Sequence, residues 1–209
     1  MAKRSAIIYI DGENFLHRIE DTLKRRKLIN KKEQILHFAV RELFSQIIEE
    51  FNVVEIRYYG TKIRTHGIND SSILAKAQGM IESQRRFKRD LLNQNIEFIV
   101  AGALRVREVS CHQCKKTSLV FKEKGVDVRM AVDIAIESSS STDQIVVSSD
   151  SDLLPALKRA KQNKSRLVYV HHAEQPNYAM IKASDETRVF TANQIVNSYK
   201  LANSLKGRK

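Results

Sequence analysis

The stretch QIVVSSDSDLLPAL, residues 144–157, decides the fold of this chain. Its β-branched run IVV is too short for a helix and too apolar for a surface strand, so it predicts a buried parallel strand. The apolar-periodic segment that follows predicts a helix directly after that strand. Asp150 and Asp152 therefore lie between the carboxyl end of a strand and the start of a helix, where open α/β sheets bind their ligands.

These two acids have two interpretations. Asp150 is a good N-cap, whose carboxylate would accept a hydrogen bond from the backbone N–H of Asp152 or Leu153. Asp152 would be favourable in the positively polarised first turn, and Pro155 is tolerated near a helix start, where the N–H groups have no helical partner. Alternatively, the acids bind a metal ion or act in catalysis.

The same arrangement occurs near the start of the chain. The run SAIIYI, residues 5–10, predicts a second buried strand, and DGEN, residues 11–14, leads from it into a helical pattern. Asp11 and Asn14 are three residues apart and so lie over the same side of the first turn. Asp11 is again an N-cap or a ligand, and Gly12 permits the close backbone approach that suits either role.

The rest of the chain alternates predicted strands and helices. Strands are predicted at 53–59, at 96–100 and at 166–170, the last of which is predicted to be the last parallel strand. Helices are predicted at 33–51, from the end of the polar loop at residue 70 to residue 94, and over 191–209 with a basic tail. Alternating elements predict an α/β fold with a mostly parallel central sheet and helices on both of its faces.

One segment interrupts this alternation. Residues 103–124 predict a small β-ribbon insert with Cys111 and Cys114 at its tip. A single CxxC supplies half of a zinc site, and the alternative is a free or redox-active pair of cysteines. The missing zinc ligands would come from a second subunit in a homodimer or from this chain's own His112, His171 and His172.

The segment GVDVRMAVDIAIE, residues 125–137, predicts a short buried helix. Asp127 lies in its first turn and can face the strand ends. Asp133 is six residues further on and points about 120° away. Because Asp133 shares one i, i+4 stripe with Arg129 and Glu137, it is predicted to be a solvated salt-bridge residue, and Asp127 the site residue.

The composition limits the class of protein and its partners. The chain has 209 residues, 42% hydrophobic and 29% charged, which suits one folded domain over residues 1–209 and argues against disorder. No apolar run reaches the roughly 18 residues of a membrane helix, and the apolar run after residue 5 is too short for a signal peptide. With no disulfide framework, a cytoplasmic protein without membrane association is expected.

The net charge of +12 predicts a polyanionic partner, nucleic acid before an anionic membrane. Basic residues interleaved with Phe87 fit a nucleic-acid surface, although a solvated helix face with Phe87 in the core fits them as well. The candidate RNA contacts in this region and in the loop before it are Lys62, Arg64, Arg85, Arg86, Lys88 and Arg89.

Each of the four candidate acids lies at a strand end or a helix start, so they are expected to gather at one edge of the sheet. They are Asp11, Asp127, Asp150 and Asp152. Clustered carboxylates repel and raise one another's pKa, and the usual remedy is a hard divalent cation, Mg²⁺ or Mn²⁺. An acidic, metal-binding cleft within a basic surface is the electrostatic layout of a metal-dependent nuclease. Asn14 would add a neutral ligand or substrate donor, and Ser149 would orient a carboxylate.

Three motifs resemble those of the NYN domain family, in its LabA-like branch, within the PIN-like ribonuclease superfamily. They are DGEN at 11–14, KGVD at 124–127 followed by Asp133, and SSDSD at 148–152. The resemblance implies a PIN-like three-layer α/β/α domain with strand order 3-2-1-4-5, and Mg²⁺- or Mn²⁺-dependent cleavage of RNA that leaves a 5′-phosphate. By motif match it implies metal ligation by Asp11, Asp127, Asp150 and Asp152, with Asn14 as a supporting polar group.

The sequence thus predicts a metal-dependent endoribonuclease that hydrolyses single-stranded RNA with a metal-activated water. Its predicted catalytic residues are Asp11, Asn14, Asp127, Asp150 and Asp152. Two alternatives remain: a catalytically weak RNA-binding module of the same fold, and a structure-specific DNA nuclease. RNA binding without turnover under any divalent metal would favour the first, and parallel assays on matched RNA and DNA would separate the second.

Overall fold

The computed structural model of the chain describes residues 4–110, 113–114 and 116–206. Within them lie seven strands: β1 (Ser5–Asp11), β2 (Asn52–Ile63), β3 (Glu97–Ser110), β4 (Thr117–Lys124), β5 (Thr142–Val147), β6 (Arg166–His172) and β7 (Glu186–Phe190). The α-helices are α1 (Gly12–Arg25), α2 (Val40–Ser45), α3 (Ser71–Asn93), α4 (Val126–Ile136), α5 (Leu154–Gln162), α6 (Tyr178–Ala183) and α7 (Ala192–Lys206). Two short 3₁₀ turns cover Lys32–Ile35 and Ser151–Leu153.

The seven strands form one sheet in the order β4-β3-β2-β1-β5-β6-β7. All neighbours are parallel except β3 and β4, which are antiparallel. Without β4 and β7, the order β3-β2-β1-β5-β6 is the 3-2-1-4-5 order that the family resemblance implies. Strands β1 and β5 therefore lie together at the centre, and their carboxyl ends meet at one edge.

Helices cover both faces of the sheet, as predicted. The alternating side chains of β1 divide between two cores: Ile8 and Ile10 pack with Phe15 of α1 on one face, and Tyr9 packs with Met130 of α4 on the other. In β5, Ile145 and Val147 belong to the first core and Val146 to the second. Burial on both faces confirms the interpretation of IVV as a central parallel strand.

The long helix predicted over residues 33–51 is wrong. The segment contains a 3₁₀ turn, the six-residue α2 and connecting turns, although most of its apolar residues are buried as expected and Ala39 is half-buried. Phe38 and Phe44 both contact Phe15, with ring centroids 6.3 and 5.5 Å from it. Residues six apart on a continuous helix point about 120° apart, so a straight helix could not bring both rings to Phe15.

The prediction that residues 166–170 form the last parallel strand is also wrong. Strand β7 pairs in parallel with β6 beyond it, from Val168 opposite Glu186 to His172 opposite Phe190. The segment ETRVF is charged and mostly half-buried because it forms the sheet edge. An edge strand of this composition lacks the apolar run that identifies a central one.

The predicted β-ribbon is present as the antiparallel pair β3–β4. Pairing runs from Ala103 opposite Lys124 to Ser110 opposite Thr117. The ribbon is not a separate insert, because β3 continues without interruption from the strand predicted at 96–100. The predictions for Cys111 and His112 fall outside the described residues, and Cys114 is exposed.

The structure places His171 and His172 on β6, away from the ribbon that carries Cys114, so it gives no support to them as zinc ligands from the same chain. Three strands separate the ribbon strand β3 from β6, a distance of about 19 Å at the usual spacing of strands. Both rings are buried instead, His171 stacked on Tyr169 and His172 edge-on to Phe190.

Among the helices of residues 4–110, 113–114 and 116–206, none combines the length and the apolar character that a membrane span requires.

Candidate functional site

The central strands bring the predicted site residues to one edge of the sheet. Ile10 of β1 lies opposite Val147 of β5, so Asp11 and Ser148 are the next residues on two adjacent strands. Asp127 lies in the first turn of α4, and Asp150 caps the 3₁₀ turn that precedes α5.

Asp11 is buried, and both of its carboxylate oxygens accept hydrogen bonds. Oδ1 accepts from the backbone N–H of Asn14 at 3.2 Å, and Oδ2 accepts from the Ser148 hydroxyl at 2.8 Å. Burial raises the pKa of Asp11 to about 6 despite these bonds, and the charges of Asp127 and Asp150 add to the rise. The capping interaction predicted for Asp11 is therefore present in a carboxylate that also repels two other acids.

Ser148 links the two central strands through one hydroxyl group. Besides donating to Asp11, this oxygen accepts the backbone N–H of Asp150 at 3.0 Å. It thereby sets the carboxylate of Asp11 against the turn that carries Asp150. The register of β1 and β5, with Ile10 opposite Val147, makes Ser148 level with Asp11, so no local sequence pattern marks this role.

Ser149, predicted to orient a carboxylate, contacts Asn14 instead. The Asn14 amide nitrogen and the Ser149 hydroxyl are 2.8 Å apart, and the hydroxyl lies 3.1 Å from the Asn14 amide oxygen. Asn177, just before α6, donates from its side chain to the Ser149 carbonyl oxygen at 2.8 Å. Asn14 is thus fastened to the loop that follows β5, beside the acids.

Asp127 and Asp150 complete the group of interacting carboxylates. Burial, followed by the charges of Asp150 and Asp152, raises the pKa of Asp127. Asp150 also caps the turn as predicted, because its Oδ1 accepts the N–H of Asp152 at 2.8 Å. Asp152 is exposed one step further along the turn.

Asp133 belongs to a different network. Its carboxylate lies 2.9 Å from the guanidinium of Arg129 and accepts a hydrogen bond from the Tyr59 hydroxyl at 3.0 Å. The ion pair with Arg129 confirms the helical spacing argument, but the expectation of a solvated residue is wrong, since Asp133 is 8% exposed. Glu137, the third member of the predicted stripe, pairs with Arg57 of β2 at 2.6 Å.

Glu123 is an acid of the site that is absent from the sequence-based candidates. It lies on β4 and lines one cleft together with Gly12 and Glu13. Burial, and then the charges of Glu13, Asp11 and Asp127, raise the pKa of Glu123 to about 7. No local pattern marks this residue, because only the antiparallel pairing of the ribbon brings it to the acids.

The donor chemistry of the edge fits a hard divalent cation. Within residues 4–110, 113–114 and 116–206, no three His, Cys, Asp or Glu side chains are close enough to form a closed metal site. Nevertheless, Asp11, Asp127 and Asp150 are oxygen donors. After burial, the charges of Asp127 and Asp150 raise the pKa of Asp11, and the charge of Asp150 raises the pKa of Asp127; a divalent cation would offset this repulsion. These three residues are the ones that would hold it.

The basic residues proposed as RNA contacts fall into two groups. Arg85 and Arg86 lie on the exposed side of α3, 3.9 and 3.2 Å from Glu82, and Phe87 is buried in the core. For these two arginines the structure agrees with the alternative prediction of a solvated helix face. Lys88, in contrast, lies 4.3 Å from the centroid of the Phe98 ring. The remaining candidates, all exposed, are Lys62 on β2, Arg64 just beyond it and Arg89 on α3.

The raised pKa of Asp11 predicts a pH dependence of stability in metal-free protein. The folded-state pKa of about 6 is above the usual 3.8, so the folded protein binds a proton that the unfolded chain releases. Ionisation of Asp11 therefore lowers the free energy of unfolding. The loss is absent below pH about 4, grows as the pH rises to about 6, and reaches its full value of about 3 kcal/mol above that pH. The free energy of unfolding of wild type, relative to Asp11→Asn, should fall by this amount.

Urea unfolding of both proteins in a chelating buffer between pH 4 and pH 7 measures this difference. A difference that stays constant over the range would show that Asp11 is not strained by its charge. Adding Mn²⁺ at pH 7 should restore stability to the wild type more than to Asp11→Asn, because binding to the folded state alone stabilises it.

Comparison with known proteins gives one family and one similar fold. The model of the family described as the NYN domain matches residues 5–191. No curated protein matches the chain. A protein of unknown function from Vibrio parahaemolyticus, VPA0982, has a crystal structure similar to it at a TM-score of 0.53 and 16% identity, over 90% of this chain and 93% of that one.

A further solved structure that matches carries less weight. It is Sir2Af2 bound to a myristoylated histone peptide, at 11% identity over 98% of this chain and 93% of that one, with a TM-score of 0.38. A TM-score this low supports no structural argument. The likeness to the Vibrio protein, at its low identity, concerns the fold alone.

Proposed function

Because this chain belongs to the NYN domain family, a family of PIN-like nucleases, we propose that it is a Mg²⁺- or Mn²⁺-dependent endoribonuclease of the LabA-like branch. The observation that carries the proposal is the group formed by Asp11, Asp127 and Asp150. Each lies at the end of a central strand or at the start of a helix or turn, and burial, then the charges of Asp127 and Asp150, raise the pKa of Asp11. This acidic centre lies in a chain whose net charge is +12.

The opposed charges of the chain suit a phosphodiester substrate. The excess of cations attracts a polyanion at long range. Acids alone would repel the phosphate, so the centre needs a cation to become productive. When bound there, Mg²⁺ or Mn²⁺ lowers the pKa of a water molecule and offsets the charge that builds on the phosphoryl oxygens.

The side chains of the chain would bind and orient the reacting groups. Asp11, Asp127 and Asp150 supply the carboxylates that hold the cation. Ser148 positions Asp11 relative to Asp150 through its two hydrogen bonds. Asn14, fastened to Ser149, places an amide beside Asp11, and the exposed Asp152 adds negative charge at the open side.

Lys62 and Lys88 are the basic residues best suited to contact the RNA backbone. Burial, then the charge of Lys62, lower the pKa of Lys88, whose ammonium group lies 4.3 Å from the centroid of the Phe98 ring. Within residues 4–110, 113–114 and 116–206 neither lysine forms an ion pair with a carboxylate, and ammonium groups of this kind favour a phosphate group. Arg85 and Arg86, which are near Glu82, suit that role less.

A weak RNA-binding module is the second candidate function. The observation in its favour is that the described acids do not form a closed cluster of three ligands. Such a module would bind single-stranded RNA in a salt-sensitive manner and would not turn it over.

One assay separates these functions. Chelator-treated protein is incubated with end-labelled single-stranded RNA, and with DNA of the same sequence, in EDTA, Mg²⁺ or Mn²⁺. We expect RNA cleavage with Mg²⁺ or Mn²⁺ only, with products that carry a 5′-phosphate, and much slower cleavage of DNA. Binding of RNA without cleavage in either metal would support the binding module instead, and equal cleavage of DNA would support a DNA nuclease.

A further inference from the structure

A cleft of about 710 Å³ opens beside the carboxylates. Helix α3 forms one wall, α1 with the 3₁₀ turn after it forms the other, and strands β2, β3 and β4 contribute to its lining. The volume lies within the roughly 300–1,000 Å³ of small-ligand sites. Gly12 and Glu13, which directly follow Asp11, line the cleft together with Glu123, so the cleft lies next to the acidic centre.

Aromatic rings form much of the cleft surface. Tyr58 and Phe87 are buried and meet edge to face with centroids 5.2 Å apart. Phe98 stacks on Tyr58 at 5.6 Å and is half-buried, as is Phe121 on the ribbon. Phe98 already contacts Tyr58 and the Lys88 ammonium group, which lies 4.3 Å from its centroid. Phe121 is therefore the ring that offers surface to another planar group.

Helix α3 leaves the cleft open rather than closing it with side chains. Its first half buries only Ala77, and a Cβ atom built on Gly79 would meet no atom within 4 Å. Glycine is a poor residue for a helix interior, so its effect here is to remove a side chain from the wall. The cleft therefore stays unfilled where α3 passes it at Gly79.

Cations lie at the cleft as well. The ammonium group of Lys76 lies 5.5 Å from the centroid of the Phe121 ring, and Lys32 lies 3.3 Å from Glu13. Exposed lysines beside accessible aromatic rings are the arrangement with which proteins bind single-stranded nucleic acids. The lysines complement phosphate groups, and the rings stack on bases.

We propose that this cleft binds an unpaired nucleobase of the substrate strand, adjacent to the phosphodiester held at the acidic centre. The inference rests on the proposed nuclease function and specifies its substrate as single-stranded. A base within a duplex is already stacked and paired, so it cannot enter the cleft without being extruded. The cleft therefore selects for unpaired RNA through shape and stacking.

The test compares two oligomers that differ only in their bases. One is a fluorescent single-stranded RNA octamer, and the other is an octamer with the same ribose-phosphate backbone and abasic sites throughout. Binding is measured by anisotropy at low salt in EDTA, where no metal-dependent cleavage occurs. The RNA should bind roughly five- to a hundredfold more tightly than the abasic octamer, the range expected for stacking of a base on an aromatic ring.

A cleft-filling variant supplies the matched test. Gly79→Leu should weaken binding of RNA to the level of the abasic octamer and leave the abasic octamer unaffected, because the leucine occupies the cleft. Gln78→Leu adds the same side chain at the neighbouring exposed position and should change neither affinity. As a second pair, Phe121→Ala should act like Gly79→Leu, whereas Leu119→Ala, on the same strand nearer the ribbon tip, should not.

Four outcomes decide the matter. Equal binding of the two octamers by wild type, or unchanged RNA binding by both Gly79→Leu and Phe121→Ala, would overturn the base subsite even if RNA is cleaved in Mn²⁺. Base-dependent binding in the cleft without cleavage would keep the subsite and overturn the proposed endoribonuclease. Failure of the wild type to bind either octamer would overturn the subsite.

Discussion

Replacing Asp150 with Asn should reduce the rate of metal-dependent RNA cleavage roughly a thousandfold, the loss typical of removing one preorganised charge from a transition state. Asn is as good an N-cap as Asp, so the hydrogen bond from the N–H of Asp152, now 2.8 Å, can be retained. The variant should therefore fold normally while losing the carboxylate that would hold the cation.

The measurement is a single-turnover rate on labelled single-stranded RNA at saturating Mn²⁺. Asp21→Asn is the control, because Asp21 is a surface acid paired with Arg25 on α1 and should cleave at the wild-type rate. Asp152→Asn should lose about tenfold, since Asp152 is exposed and would act through water rather than directly. A wild-type rate for Asp150→Asn would show that the acidic centre is assigned wrongly.

Gly12→Ala should destabilise the fold by about 2 kcal/mol, near the middle of the range for overpacking a tight site. A Cβ atom built on Gly12 overlaps the ring of Tyr58 and the backbone oxygen of Tyr59. The ring cannot move aside easily, because it is buried and its hydroxyl donates to the Gly12 carbonyl oxygen at 2.7 Å. The start of α1 must therefore shift, and Asp11 with it.

Urea unfolding compares this variant with Gly79→Ala, which makes the same chemical change in a different environment. The Cβ of Gly79→Ala meets no atom within 4 Å, so this variant should gain about 0.5–1 kcal/mol from its better helix propensity. Gly12→Ala should also cleave RNA more slowly at temperatures where it remains folded. Equal stability of the two variants would show that α1 can adjust its start without cost.

The positions of the predicted acids relative to strands and helices follow from local patterns. The buried runs before Asp11 and Asp150 are central strands, and the caps predicted for both acids are present. A buried strand, a turn and a helix start each depend on residues within a few positions of one another. Their prediction therefore needs no knowledge of distant segments.

The errors concern residues whose surroundings come from elsewhere in the chain. Asp133 is buried beside Tyr59 of β2, whose hydroxyl donates a hydrogen bond to it. Glu123 joins the acidic centre because antiparallel pairing brings β4 alongside β3. The helix predicted at 33–51 is broken because Phe38 and Phe44 must meet Phe15. In each case tertiary packing decides what the local pattern leaves open.

The sequence by itself determined the alternation of strands and helices, the acids at the strand ends and the three motifs, because side-chain periodicity and turn chemistry encode them locally. Only the tertiary structure decided the register between β1 and β5, and hence that Ser148 rather than Ser149 contacts Asp11. It also decided that α3 leaves an open, aromatic cleft beside the acids. Register and packing depend on contacts between segments far apart in the chain, which no short window of residues contains.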